Sequence, residues 1–205
     1  MSDPTTLRAL SGMPAAPAAL TDSTLIMIDL QNTYTRGIME LDGVQPAIDQ
    51  AAELLDRARS AGIPIIHIQH DDGEGSLYDV RGESGAIVAR VAPRAGETVI
   101  VKSYPNAFTG TDLNNRLAPG SNLLLAGFMT HMCVNSTARG AFSLGHSPAV
   151  VAGATATRAL PGATAIRALP GSAGEPVSAA ALQAASLAAL ADLFAVVVPE
   201  AADVP

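Results

Sequence analysis

Residues 127–142 read GFMTHMCVNSTARGAF and hold the only cysteine of the chain, Cys133. The stretch begins where an apolar run at residues 122–126, NLLLA, gives way to a helical pattern starting near Met132. Strand, glycine turn and helix in that order form the building unit of an α/β sheet. A thiol in the first turn of a helix sits among unpaired backbone N–H groups at the positive end of the dipole. Both features favour thiolate. The same position also suits a small buried hydrophobe, so the meaning of Cys133 depends on its partners. The turn holds neither GxGxxG nor GxxxxGK[ST], and nucleotide binding finds no support.

Working outward, the same alternation continues in both directions. Residues 23–29, STLIMID, form an apolar run closed by a carboxylate, as expected for a central parallel strand. Residues 46–61 carry Ala47, Ile48, Ala51, Leu54, Leu55 and Ala58 at helix spacing, with Pro46 early and Gly62 just past the end. Residues 63–69 predict a second strand, 98–102 a third ending in Lys102, and 111–118 a short helix. Residues 132–144 predict the helix bearing Cys133, 148–152 a fifth strand, 177–193 a helix and 194–198 a sixth strand. Between strands two and three, residues 70–96 show no apolar period, and a loop of that length inside a domain is usually functional. The expected fold is a three-layer, doubly wound α/β domain over residues 23–205, with a six-stranded, mostly parallel sheet. Residues 1–22, rich in Ala and Pro, are expected to be a surface arm. ATATRALPG (154–162) is followed at once by ATAIRALPG (163–171), eight of nine positions matching. This tandem duplication lengthens the loop after strand five.

Composition narrows the partners. The 205 residues carry a net charge of −7, with no run of Lys or Arg, so nucleic acid and anionic membranes are poor partners. One cysteine excludes an intrachain disulfide. No basic–apolar leader pattern and no apolar span of ~18 residues is found. A cytoplasmic, soluble protein is expected.

In open α/β sheets ligands bind beyond the carboxyl ends of the strands. Three strands end there in reactive groups: Asp29, Lys102 and the turn to Cys133. Each alone is equally consistent with marking the solvent boundary; an acid, a base and a thiol on one edge point to chemistry. Histidine is the weaker candidate for a base. His131 is two residues from Cys133 and faces elsewhere on a helix. His146 lies ~20 Å along a continuous helix, and His67 falls inside a strand. His67 and His70 do not share a strand face, so no metal is expected.

With Ile28-Asp29-Leu30-Gln31-Asn32, Val101-Lys102 and residues 127–139 in view, the chain resembles the isochorismatase-like cysteine hydrolases. That family includes nicotinamidases, N-carbamoylsarcosine amidases and streptothricin hydrolases. The resemblance covers roughly residues 23–199 and implies an Asp-Lys-Cys triad: Asp29 as general base, Lys102 as charge stabiliser, Cys133 as nucleophile. It also implies a cis peptide at Phe128–Met129 and an oxyanion hole from the Met129 and Cys133 N–H groups. No cofactor is implied. Family habit suggests a homodimer or homotetramer.

The substrate is less constrained. Gln31, Asn32, Tyr34, His70, Tyr78, Tyr104, Phe108, Thr130 and His131 are the expected substrate contacts. Residues 67–74, HIQHDDGE, lack the Asp-x-His metal pattern of nicotinamidases, which disfavours nicotinamide. The complete triad disfavours the isochorismatase branch, which hydrolyses a vinyl ether without needing the cysteine. Asp71, Asp72 and Glu74 near the site would favour a cationic, streptothricin-type lactam. Outside amide hydrolysis, a redox sensor or an inactive binding protein on the same fold are the alternatives.

Overall fold

A computed structural model describes residues 5–162 and 174–205. The second copy of the duplication, 163–171, lies outside them. The chain enters through a short helical turn, α1 (Leu7–Leu10), and then β1 (Ser23–Ile28). Next come α2 (Val44–Ala61), β2 (Ile65–His70), β3 (Thr98–Lys102) and β4 (Asn122–Phe128). After β4 lie α3 (Asn135–Ser143), β5 (Ser147–Ala156), β6 (Leu160–Gly162) and β7 (Gly174–Val177). Helix α4 (Ala179–Ala191) and β8 (Val196–Val198) complete the order.

Six strands form one parallel sheet in the order β3-β2-β1-β4-β5-β8. The order reverses between β1 and β4, and a crevice opens at such a switch point beyond the strand ends. Alternate side chains of each strand serve opposite faces. Leu25 and Met27 of β1, with Leu124 and Ala126 of β4, pack toward α2. Ile26, Ile28, Leu123 and Leu125 pack toward α3 and α4 through Val134, Ala138, Ala141 and Leu190. Burial on both faces explains why these strands read as continuous apolar runs. Helix α2 buries the apolar stripe read from the sequence, and it ends at Gly62, whose left-handed backbone (φ 68°) returns N–H bonds to Ala58 and Arg59.

Four local expectations change. Residues 111–118 form only a 3₁₀ turn, Leu113–Arg116. Val177, read as helical, pairs with Leu160 in an antiparallel β6–β7 arm that the sequence did not suggest. The α4 start instead falls at Ser178, whose hydroxyl accepts the Ala181 N–H. Finally, β4 runs to Phe128 rather than Ala126. The segment before β1 lies against the C-terminal part of the same chain. The Arg8 N–H donates to Asp192 O at 2.7 Å, its guanidinium to Leu193 O at 3.1 Å, and the Leu20 N–H to Pro205 O at 2.7 Å.

Candidate active site

The crevice at the switch point is built by close backbone approach. Gly127 pairs with Ile28, and a Cβ on Gly127 would lie 1.9 Å from the Ile28 carbonyl oxygen. Only glycine permits that contact, which draws the ends of β1 and β4 together. Beyond them the chain does two unusual things. Asp29 takes φ 48°, the one positive φ at a non-glycine residue among those described. Strained backbone of that kind clusters at functional sites. The Phe128–Met129 peptide is cis.

Cys133 does not sit in the first turn of an α-helix, as the sequence suggested. It lies in a wide π-type turn, Thr130–Val134, where the Met129 carbonyl accepts from both Met132 and Val134 N–H, and α3 starts only at Asn135. Turns of this type are frequent at functional sites. The helix-start argument that would favour a thiolate is therefore not what governs this thiol. Burial, and then the negative charge of Asp29, push the thiol up to about 12, against a smaller opposing pull from Lys102.

The three strand ends meet. Lys102 Nζ is 2.7 Å from Asp29 Oδ2 and 3.4 Å from Cys133 Sγ. The first contact is an ion contact without hydrogen-bond alignment, so neither Asp29 oxygen has an aligned donor among the described residues. Burial raises the Asp29 carboxyl above the usual carboxylate range, with Lys102 opposing the shift. A buried acid raised in this way is a stronger base toward a nearby proton.

Of the remaining expected contacts, several serve the scaffold. Gln31 is fully buried and donates to the His70 and Gly85 carbonyls while accepting the His70 N–H. Asn32 donates to Glu83 O at 2.9 Å. Tyr34 is buried between Tyr78 and Phe128, its ring 5.8 and 5.7 Å from theirs. Phe108 stacks on His146 at 5.9 Å. Tyr104 is exposed, and Thr130 is fully buried with an unpartnered hydroxyl. His131 pairs through Nδ1 with the Thr157 hydroxyl, and burial lowers its pKa. His70 reaches Lys102 directly, Nδ1 to Nζ 3.1 Å. In the acidic loop, Asp71 caps the Gly73 N–H, Asp72 contacts His70, and Glu74 lies 4.0 Å from Arg81. His67 is a core residue held by Glu97 at 2.9 Å. Among the described residues no cluster suited to a metal ion occurs.

Two neighbours were missed. Thr157 and Arg158 follow β5, whose Ala156 pairs with Phe128, so both reach the edge that carries the triad. Arg158 Nε is buried without a partner among the described residues, and its charge is felt by His131. The signal was available: the residues just beyond any strand of this sheet belong to its ligand edge.

Comparison with known proteins agrees with this architecture. The description "Isochorismatase domain" matches residues 23–201. An isochorismatase structure from Pseudomonas putida KT2440 superposes with a TM-score of 0.88 and 37% identity, covering 98% of this chain and 100% of that one. The secreted isochorismatase effector Isc1 of Verticillium dahliae is 30% identical over 93% of this chain and 95% of its own length. A streptothricin hydrolase of Streptomyces noursei is 30% identical over 67% of this chain and 50% of its own length. No helix among the described residues is long and apolar enough to cross a membrane.

Proposed function

The chain belongs to the isochorismatase family, and from that premise we propose that it is a cysteine hydrolase cleaving a C–N amide bond through a thioester acyl-enzyme. The bond is a carboxamide, lactam or carbamoyl group. Members of the family are hydrolases, and the similarity to a streptothricin hydrolase supports the amide class. The observation that carries the reading is Lys102, placed 2.7 Å from Asp29 and 3.4 Å from Cys133 among buried side chains.

In the proposed cycle Asp29 takes the proton of the Cys133 thiol as sulfur attacks the carbonyl carbon. The cation of Lys102 stabilises the sulfur anion as it forms. The Met129 and Cys133 N–H groups hold the tetrahedral oxyanion; losing one such donor costs about 10²–10³ in rate. Collapse breaks the C–N bond, and Asp29 returns its proton to the departing amine. A water molecule, deprotonated by Asp29, then attacks the thioester, releasing the acid and restoring the thiol. Starting from a thiol rather than a thiolate suits this cycle, because Asp29 needs a proton for the leaving group.

A redox role is less well supported, since Cys133 is buried and burial, with Asp29, works against its thiolate. We place the protein in the cytoplasm as a homodimer or homotetramer, where a catalytic thiol stays reduced. The test is a panel of carboxamides, lactams and carbamoyl compounds with Cys133→Ala as control. Hydrolysis by the wild type alone, with an acyl adduct on Cys133 seen by mass spectrometry, is the expected result. Turnover that survives Cys133→Ala would sink the reading.

A further inference from the structure

A lysine ammonium has three N–H bonds and no acceptor, so a buried lysine needs three acceptors. Lys102 is fully buried and has three polar atoms around its ammonium: Asp29 Oδ2 at 2.7 Å as an ion contact, and Cys133 Sγ at 3.4 Å and His70 Nδ1 at 3.1 Å as hydrogen-bond partners. The hydrolytic cycle uses the first two. The third is left without a role.

We infer that His70, oriented by Asp72, is a positioning residue that holds the Lys102 ammonium between Asp29 and Cys133, and that it does so only as a neutral imidazole. The inference rests on the hydrolase reading for its catalytic meaning, though not for its geometry.

The tautomer follows from the contacts. Nδ1 faces an ammonium that can only donate, so Nδ1 accepts and the ring proton is on Nε2. Nε2 lies 3.1 Å from Asp72 Oδ1, which accepts that proton and fixes the tautomer. The ring is held from three directions. Gln31 clamps the His70 peptide on both its N–H and its carbonyl, each at 2.9 Å. Tyr78 packs against the ring at 5.0 Å and 82°. Asp72 holds the far nitrogen. Such restraint suits a group whose partner is always present better than one awaiting substrate.

Protonation of Nδ1 would turn the acceptor into a donor and set two cations 3.1 Å apart. The groups facing His70 are Lys102 from β3, Asp29 after β1, Cys133 after β4, Tyr78 from the loop and Asp72 on its own segment. Asp71 turns its carboxylate to the Gly73 N–H. Asp72 is half exposed while Lys102 is fully enclosed, so His70 is the link between the buried triad and solvent.

The experiment is alkylation of Cys133 by iodoacetamide from mildly acidic to alkaline pH, which needs no substrate. Wild type, His70→Leu, His70→Asn and Asp72→Ala are compared, with thermal melts to confirm folding. His70→Leu should react about tenfold more slowly, because an ammonium free to swing stabilises the sulfur anion less. His70→Asn, whose Oδ1 can replace Nδ1 as acceptor, should stay within about threefold of wild type. Equal rates in wild type and His70→Leu would overturn the inference, as would His70→Asn behaving like His70→Leu. With a hydrolysed amide in hand, kcat should fall with KM nearly unchanged; a rise in KM alone would make His70 a substrate contact and also overturn it. If the alkylation pattern holds in a protein that cleaves no amide, positioning stands and the hydrolase reading alone fails.

Discussion

Lys102 and Asp29 meet at 2.7 Å with neither side chain touching solvent. A buried pair of this kind gains little net stability when complete and costs a great deal when one partner is removed. Asp29→Asn and Lys102→Met should each destabilise by about 3–5 kcal/mol, and the double variant by clearly less than their sum. Urea denaturation of the four proteins checks this, and strict additivity would refute the coupling. Each single variant should also lose at least about 10² in hydrolytic rate.

Thiol reactivity should separate from catalysis. Asp29 raises the Cys133 thiol and Lys102 lowers it. Asp29→Asn, although catalytically dead, should therefore alkylate faster than wild type at neutral pH, and Lys102→Met more slowly. A thiol indifferent to both changes would remove the triad. The same shift has a stability consequence. The folded thiol titrates near 12, above the unfolded value of ~8.5. The native state then binds more protons at high pH, so the stability contributed below the unfolded value is lost as pH rises toward 12. Cys133→Ala should flatten that alkaline decline in Tm.

On the acid side the relevant group is Glu97. It accepts two bonds from Arg59, at 2.7 and 2.9 Å, one from the Arg94 N–H at 2.8 Å, and contacts His67. Hydrogen bonding to Arg59 leads in holding its carboxyl down at about 2, from 4.5. Its contribution is present above the unfolded value and lost as pH falls through about 2. Glu97→Gln should lower Tm at neutral pH and show a weaker acid dependence, measured by thermal melts across the acid range.

Gly127→Ala tests the construction of the crevice. The added Cβ meets the Ile28 backbone at 1.9 Å, and backbone cannot yield as a flexible side chain does. Inactive or insoluble protein is expected. Gly145→Ala, where a Cβ meets nothing within 4 Å, should fold and keep activity despite the left-handed backbone. A soluble, active Gly127→Ala protein would show that β1 and β4 can separate without disturbing the site.

Much of this protein was written locally. Residues 23–29 and 98–102 are largely apolar runs that each end in one ionisable residue, although β3 proves to be an edge strand with Val99 and Val101 exposed. That pattern specifies a parallel strand and places Asp29 and Lys102 at the carboxyl ends. The α2 stripe and the Gly62 stop were legible for the same reason, since neighbours at helix spacing encode them. The β6–β7 arm was not, because the first copy of the duplication, expected as loop, instead ends β5 and forms β6, and Leu160 pairs with Val177, 17 positions on.

The chemistry of the site belongs to the tertiary structure. The sequence put Cys133 near a helix start and so suggested a thiolate; burial and Asp29, 104 positions away in the chain, reverse that. His70 looked like a pocket residue until β2 and β3 came side by side, pairing His70 with Lys102 in register. Elements and strand ends follow from the order of side chains along the backbone. A proton's affinity and an ammonium's third partner follow from which distant segments remove water from the group and which charges they leave beside it.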